Sequence, residues 1–154
     1  MISKISQGFL AGAVVLALGA GAAYAALAGD AAITARQACM KANGAGMGVM
    51  VPMIKGEKPY DAAAVQAALG ASGAACANWA EFWPADSMTS TTLKTRALDA
   101  IWKDAKTFEE KGNTEYAAFT ALKATTDEAG FKAAFPALGA ACGSCHEKFR
   151  APAP

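Results

Sequence analysis

The chain has 154 residues, enough for one domain with its own core and short for two. Its 14 basic and 13 acidic residues nearly balance, so the basic stripe of a nucleic-acid binder is missing. Ala and Gly abound, β-branched runs are scarce and short alternating apolar segments do not recur, which favours packed helices over a sheet.

The opening stretch reads as an export signal. Lys4 supplies a positive start, and no residue from Ile5 to Gly29 carries charge. Only Phe9 to Leu18 is strongly apolar, the length of a signal core and shorter than the about 20 residues of a membrane span. Ala23-Tyr24-Ala25 offers one cleavage site and Ala26-Leu27-Ala28 a second. The expectation is a signal peptide over 1–25, or to 28, and a mature domain over 29–154. An uncleaved anchor suits so short an apolar run less well. Export implies a periplasmic protein, free of the membrane after cleavage, whose four cysteines meet an oxidising compartment.

Four helical segments follow. The first runs from about Ala31 to Val51, with Ile33, Met40, Met47 and Ile54 seven apart and Gly44 on roughly the same face. Pro52 and the run Lys55-Gly56-Glu57-Lys58-Pro59 break it. The second begins near Asp61, a capping residue, and runs to Phe82, where Trp83-Pro84 ends it. A polar crossover reaches about Ser90. The third then covers Thr91 to Glu110, with Leu98, Ile101, Trp102, Ala105 and Phe108 as its buried stripe, and resumes after a kink at Gly112-Asn113. The last runs from about Asp127 to Phe149 and bends at Pro136. Four amphipathic segments with short links predict an all-α, antiparallel four-helix bundle.

The chemistry lies in Cys142-Gly143-Ser144-Cys145-His146. Two thiols separated by two residues and followed at once by histidine are the attachment signature of c-type haem. Thiols one helical turn apart match the two vinyl groups on one porphyrin edge, and the next residue turns its imidazole toward the iron. Gly143 and Ser144 are small enough for the backbone to lie close to the ring. A thioredoxin-type pair needs a βαβ context, which the sequence lacks. A zinc site needs further ligands, and His146 is the sole histidine. Two axial histidines are therefore excluded, and the sixth position falls to a methionine, another weak ligand or nothing. In an up-down-up-down bundle the end of the last helix lies beside the first half of the first helix. Met40 is in reach there. Met47 stands about 10 Å further along, Met50 and Met53 further still, and Met88 lies in the crossover.

With a haem site in its last helix and a leading signal, the sequence resembles the class II cytochromes c, which comprise the cytochromes c-prime and the low-spin cytochromes c-556. Arg36-Gln37-Ala38-Cys39-Met40-Lys41 looks like the first-helix signature of that family. Lys55 to Asp61 resembles the first loop, Ile101-Trp102 the third helix, and Cys142 to Arg150 the attachment helix. The resemblance implies one covalent haem c with its iron, and places Met40 where the low-spin branch ligates iron. In the c-prime branch an apolar residue usually stands there. It also implies that Arg36, one turn before Met40, approaches a haem propionate, and that Arg150, one turn after His146, sits beside the proximal ligand. Trp79, Trp83, Trp102, Phe135 and Phe149 read as core and pocket wall.

Cys39 and Cys76 depart from the family pattern. They lie about 20 and 24 Å from the loop joining the first two helices, less than one turn apart in an antiparallel pair, and are expected to form a disulfide. The function expected is one-electron transfer between redox partner proteins, by a monomer or a homodimer. The alternative is a five-coordinate protein of the c-prime type that binds nitric oxide or carbon monoxide. A haem enzyme such as a peroxidase wants a distal histidine, and the only histidine is already used.

Overall fold

The computed structural model describes residues 27–153. The expected signal peptide over 1–25 lies outside the described residues. Five helices follow in order: α1 (Gly29–Ile54), α2 (Ala62–Ala75), α3 (Ala100–Lys103), α4 (Ala105–Lys123) and α5 (Glu128–Phe149). Four are long and form the bundle, and α3 is a single turn ahead of α4. Among the described residues there is no β-strand, and one isolated antiparallel bridge joins Ala97 to Arg150.

Local chemistry sets the helix ends. The side chains of Asp61, Asp104 and Asp127 accept from Ala64 N, Thr107 N and Gly130 N, capping α2, α4 and α5. α1 runs through Pro52 rather than stopping there, and ends at Ile54, just before Gly56 turns the chain with φ +73°. The Pro52 carbonyl accepts from Glu57 N (2.8 Å), so the loop satisfies groups that the helix end leaves open.

Three further expectations change. The second helix stops at Ala75 rather than Phe82, and Trp79–Phe82 follows as a separate short helical turn. The third does not begin at Thr91. There Ser90 Oγ accepts from Thr92 N and Leu93 N, and Thr95 Oγ1 accepts from Ala97 N, so hydroxyl side chains take the backbone donors. α4 then passes Gly112-Asn113 without a break, and Gly112 lies against the Trp79 indole instead of marking a kink.

Two cores fill the bundle. Met50, Met53, Leu69, Leu122, Phe131 and Phe135 build the first, toward the end where α1 stops and α5 begins. Ile101, Phe108 and Phe149 build the second at the opposite end, with Trp79, Trp83 and Trp102 packed around them. α1 packs closely on α2, and α4 on α5. Cys39, fully buried, is joined to Cys76 at the C-terminal cap of α2, with their Cα atoms 4.9 Å apart. No helix among the described residues is long and apolar enough to cross a membrane.

The cross-link spans 37 residues, a loop whose closure is worth about 4 kcal/mol in the chain-entropy account. The double variant Cys39→Ala, Cys76→Ala should lose stability on that scale in urea unfolding. An unchanged midpoint would show that the bond carries none of the stability.

Candidate haem site

α5 presents Cys142, Cys145 and His146 on one stretch, held between the two cores. Cys142 packs against the first core and Cys145 against the aromatic one, so the pair bridges them. Both thiols are half-buried. Burial pushes the Cys142 thiol up, with Glu115 and then Cys145 adding to it. Burial also pushes Cys145 up, against an opposing pull from Lys111. The unattached cysteines are therefore thiols rather than thiolates.

His146 borders a groove of about 480 Å³ shared with Arg96, Leu98, Gly143, Arg150 and Ala151. That volume lies in the range of cofactor sites, about 300–1,000 Å³. Burial lowers the imidazole pKa, and the positive charges of Arg150 and Arg96 lower it further. The ring is thus neutral near pH 7, the form that donates a lone pair to iron. The bridge at Arg150 closes this end of α5. Leu98 N donates to Phe149 O (3.0 Å), Ala151 N donates to Arg96 O (2.8 Å), and Arg96 Nε donates to Ala151 O (2.9 Å). Arg150 itself is exposed, one turn beyond His146.

Across the bundle, α1 carries Arg36 and Met40. Met40 is half-buried. Arg36 is only 3% exposed. Its Nη1 donates to Phe82 O (3.3 Å) and Ser87 Oγ (2.9 Å), and its Nη2 to Ser87 O (2.7 Å) and Thr95 Oγ1 (3.1 Å). The guanidinium carbon also lies 5.1 Å from the centroid of the Trp83 ring and 5.8 Å from that of Trp102. Its four Nη hydrogens are spent on the crossover, a role its spacing from Met40 did not signal.

The residues present fit a haem. α1 and α5 are not among the closely packed helix pairs, which leaves room for a group between them. Trp83 Nε1 is buried without a hydrogen-bond partner, which leaves one donor to be satisfied. Beside it, among the described residues, no carboxylate pairs with the buried Arg36 charge. An anionic acceptor such as a propionate answers both needs. Trp83, expected only as pocket wall, thus offers a polar contact too. A tryptophan beside a proline carries no sequence signal for that.

Replacing Arg36 tests how much of the crossover hangs on it. Arg36→Ala orphans the Ser87 and Phe82 carbonyls and empties a packed site, at a cost of about 3 kcal/mol. Urea unfolding should register that loss, with faster proteolysis between residues 83 and 99. Arg36→Lys keeps the charge without the planar fork and should fall between the two.

Comparison with known proteins agrees with this geometry. The family model described as Cytochrome C' matches residues 31–150. The chain is 37% identical over 133 residues to a cytochrome c-556 of Agrobacterium fabrum, covering 85% of this chain and 86% of that protein. It is 36% identical over 149 residues to a cytochrome c' of Rhodopseudomonas palustris, covering 96% and 97%. Among solved structures, the cytochrome c' of Rubrivivax gelatinosus superposes with a TM-score of 0.70 at 29% identity, over 79% of this chain and 95% of that one. The nitric oxide complex of a cytochrome c prime variant from Alcaligenes xylosoxidans gives 0.68 at 30% identity, over 80% and 96%. The chain belongs to the cytochrome c' family, the class II cytochromes c, four-helix bundles that carry covalently bound haem c with its iron.

Proposed function

We propose that the protein is a periplasmic one-electron carrier, with haem attached at Cys142 and Cys145 and iron held between His146 and Met40. One observation carries the choice of Met40. A small cavity brings Cys142 of α5 against Asn43, Met47 and Met50 of α1. The two helices run antiparallel, so one turn forward from Cys142 to His146 corresponds to about one turn back along α1. Met40 lies on that side, while Met47 already adjoins the cysteine and packs on the first core.

Bound haem supplies a ferric/ferrous couple that exchanges one electron at a time. The residues of the chain do the rest. His146, kept neutral by burial and by the charges of Arg150 and Arg96, would hold the iron from α5. A Met40 thioether from α1 would fill the remaining ligand position, which would favour small rearrangement on electron transfer over binding of a gas. Trp83 Nε1–H is the free donor that would meet a propionate, the buried Arg36 charge beside it would favour that anion without giving up its Nη bonds, and Arg150 keeps positive potential beside His146. The partners are other redox proteins, met as a monomer or a homodimer.

A second reading, a five-coordinate protein that binds nitric oxide, draws on the likeness to the Alcaligenes xylosoxidans nitric oxide complex. The two separate at Met40. Haem staining after denaturing electrophoresis should first show pigment retained on the polypeptide. The reduced wild type should then be low-spin and slow to take carbon monoxide, whereas Met40→Ala becomes high-spin and takes it readily. A wild type that is already high-spin favours gas binding. The same change with Met47→Ala in place of Met40→Ala moves the ligand one heptad along α1.

A further inference from the structure

Three polar side chains from three helices meet beside the attachment cysteine. Asn43 of α1, Ser72 of α2 and Glu115 of α4 line a cavity of about 20 Å³ whose other walls include Met47, Leu138 and Cys142. That size admits one water molecule. Ser72 is committed, donating to Ala42 O at 3.4 Å. Glu115 differs. Among the described residues no cation lies within ion-pair distance of its carboxylate, although Lys111 stands one turn earlier on the same helix. An unpaired carboxyl in an apolar wall does nothing for packing, since burying it costs free energy.

We propose that Glu115 is a redox-linked proton site, taking up one proton when the haem joined to Cys142 and Cys145 is reduced and releasing it on oxidation. The proposal rests on the carrier reading above. One electron from a donor protein converts ferric to ferrous iron while one proton from solvent converts the Glu115 carboxylate to the acid. The net charge of the half-buried site is then the same before and after. Ferric iron carries one more positive charge than ferrous iron and so holds the carboxylate ionised. Reduction removes that attraction, and the carboxyl pKa rises.

Burial already pushes the Glu115 carboxyl up from its ordinary value. Few other groups compete. Cys142 and Cys145 face it from α5 but cease to titrate once they are thioethers, and Lys111 is the charged neighbour on α4. α1 and α2 present only neutral side chains at this cavity. Glu115 remains half-exposed, so its proton can exchange with solvent.

Spectroelectrochemical titration of the haem-loaded protein tests this. The midpoint potential should fall as pH rises between the carboxyl pKa values of the oxidised and reduced forms. The slope approaches 59 mV per tenfold change in proton concentration, the limit for a one-electron couple. Glu115→Gln should flatten that segment while slopes due to the propionates persist. Infrared difference spectra of wild type with ¹³C-labelled glutamate should show a labelled protonated-carboxyl band growing on reduction. Reversible reduction is the control for the carrier reading. Given that, an unchanged slope in Glu115→Gln, or no labelled band in the wild type, overturns the role of Glu115.

Discussion

The buried guanidinium of Arg36 is the constraint on which the rest of the structure leans. A charge removed from water costs several kcal/mol unless its donors are met, and the chain meets them with oxygens from Phe82, Ser87 and Thr95. Those oxygens must turn toward α1, so the segment between them has little freedom to be α-helix and holds only a short helical turn at Ala85–Ser87. The crossover therefore hugs α1, and Gln37 Nε2 adds a bond to Lys94 O at 2.7 Å. Two residues past Thr95, the same strand of chain pairs Ala97 with Arg150. One buried cation thus fixes the crossover, and the crossover fixes the end of α5 that carries His146.

Placing the attachment cysteines between two unlike cores gives the site its asymmetry. Cys145 faces a cluster of stacked and edge-on rings, where Trp83 and Phe108 lie 4.7 Å apart and Phe108 and Phe149 5.1 Å. Cys142 faces methionines, leucine and the one carboxyl group of that wall. The two thiols lie one helical turn apart on α5 yet sit in different dielectric surroundings. The aromatic side is stiff and holds the cation of Arg36, while the methionine side is adaptable and holds a proton-binding group.

The sequence was legible where a local rule decides. The Cys-x-x-Cys-His spacing led to the family, Asp61 to the start of α2, and the stretch from about Asp127 to Phe149 to the span of α5. It was illegible where distant partners decide. Thr91 to Asp99 has a passable helical period, but its hydroxyls and carbonyls are claimed by α1 and by the C-terminal residues. Gly112 reads locally as a breaker, yet its missing side chain accommodates Trp79 from 33 residues earlier. Arg36 was picked out by its distance from Met40, although its hydrogen-bond partners lie 46 to 59 residues away. Glu115 carried no signal at all, since an acidic residue on an amphipathic helix is ordinarily a solvated one.

The bond between Cys39 and Cys76 bears on how four chemically identical thiols are sorted. A chain emerging N-terminus first presents this pair long before Cys142 and Cys145. Both cysteines lie within the hairpin of α1 and α2, and α1 packs chiefly on α2, so their pairing needs no residue of α5. Oxidation at that stage withdraws two nucleophiles from the pool, and every later thiol belongs to the attachment motif. The order of synthesis then does the work of a selectivity filter. The cost of reversing it is also plain: a circular permutant that delivers α5 first would expose its cysteines to disulfide exchange before the hairpin could close.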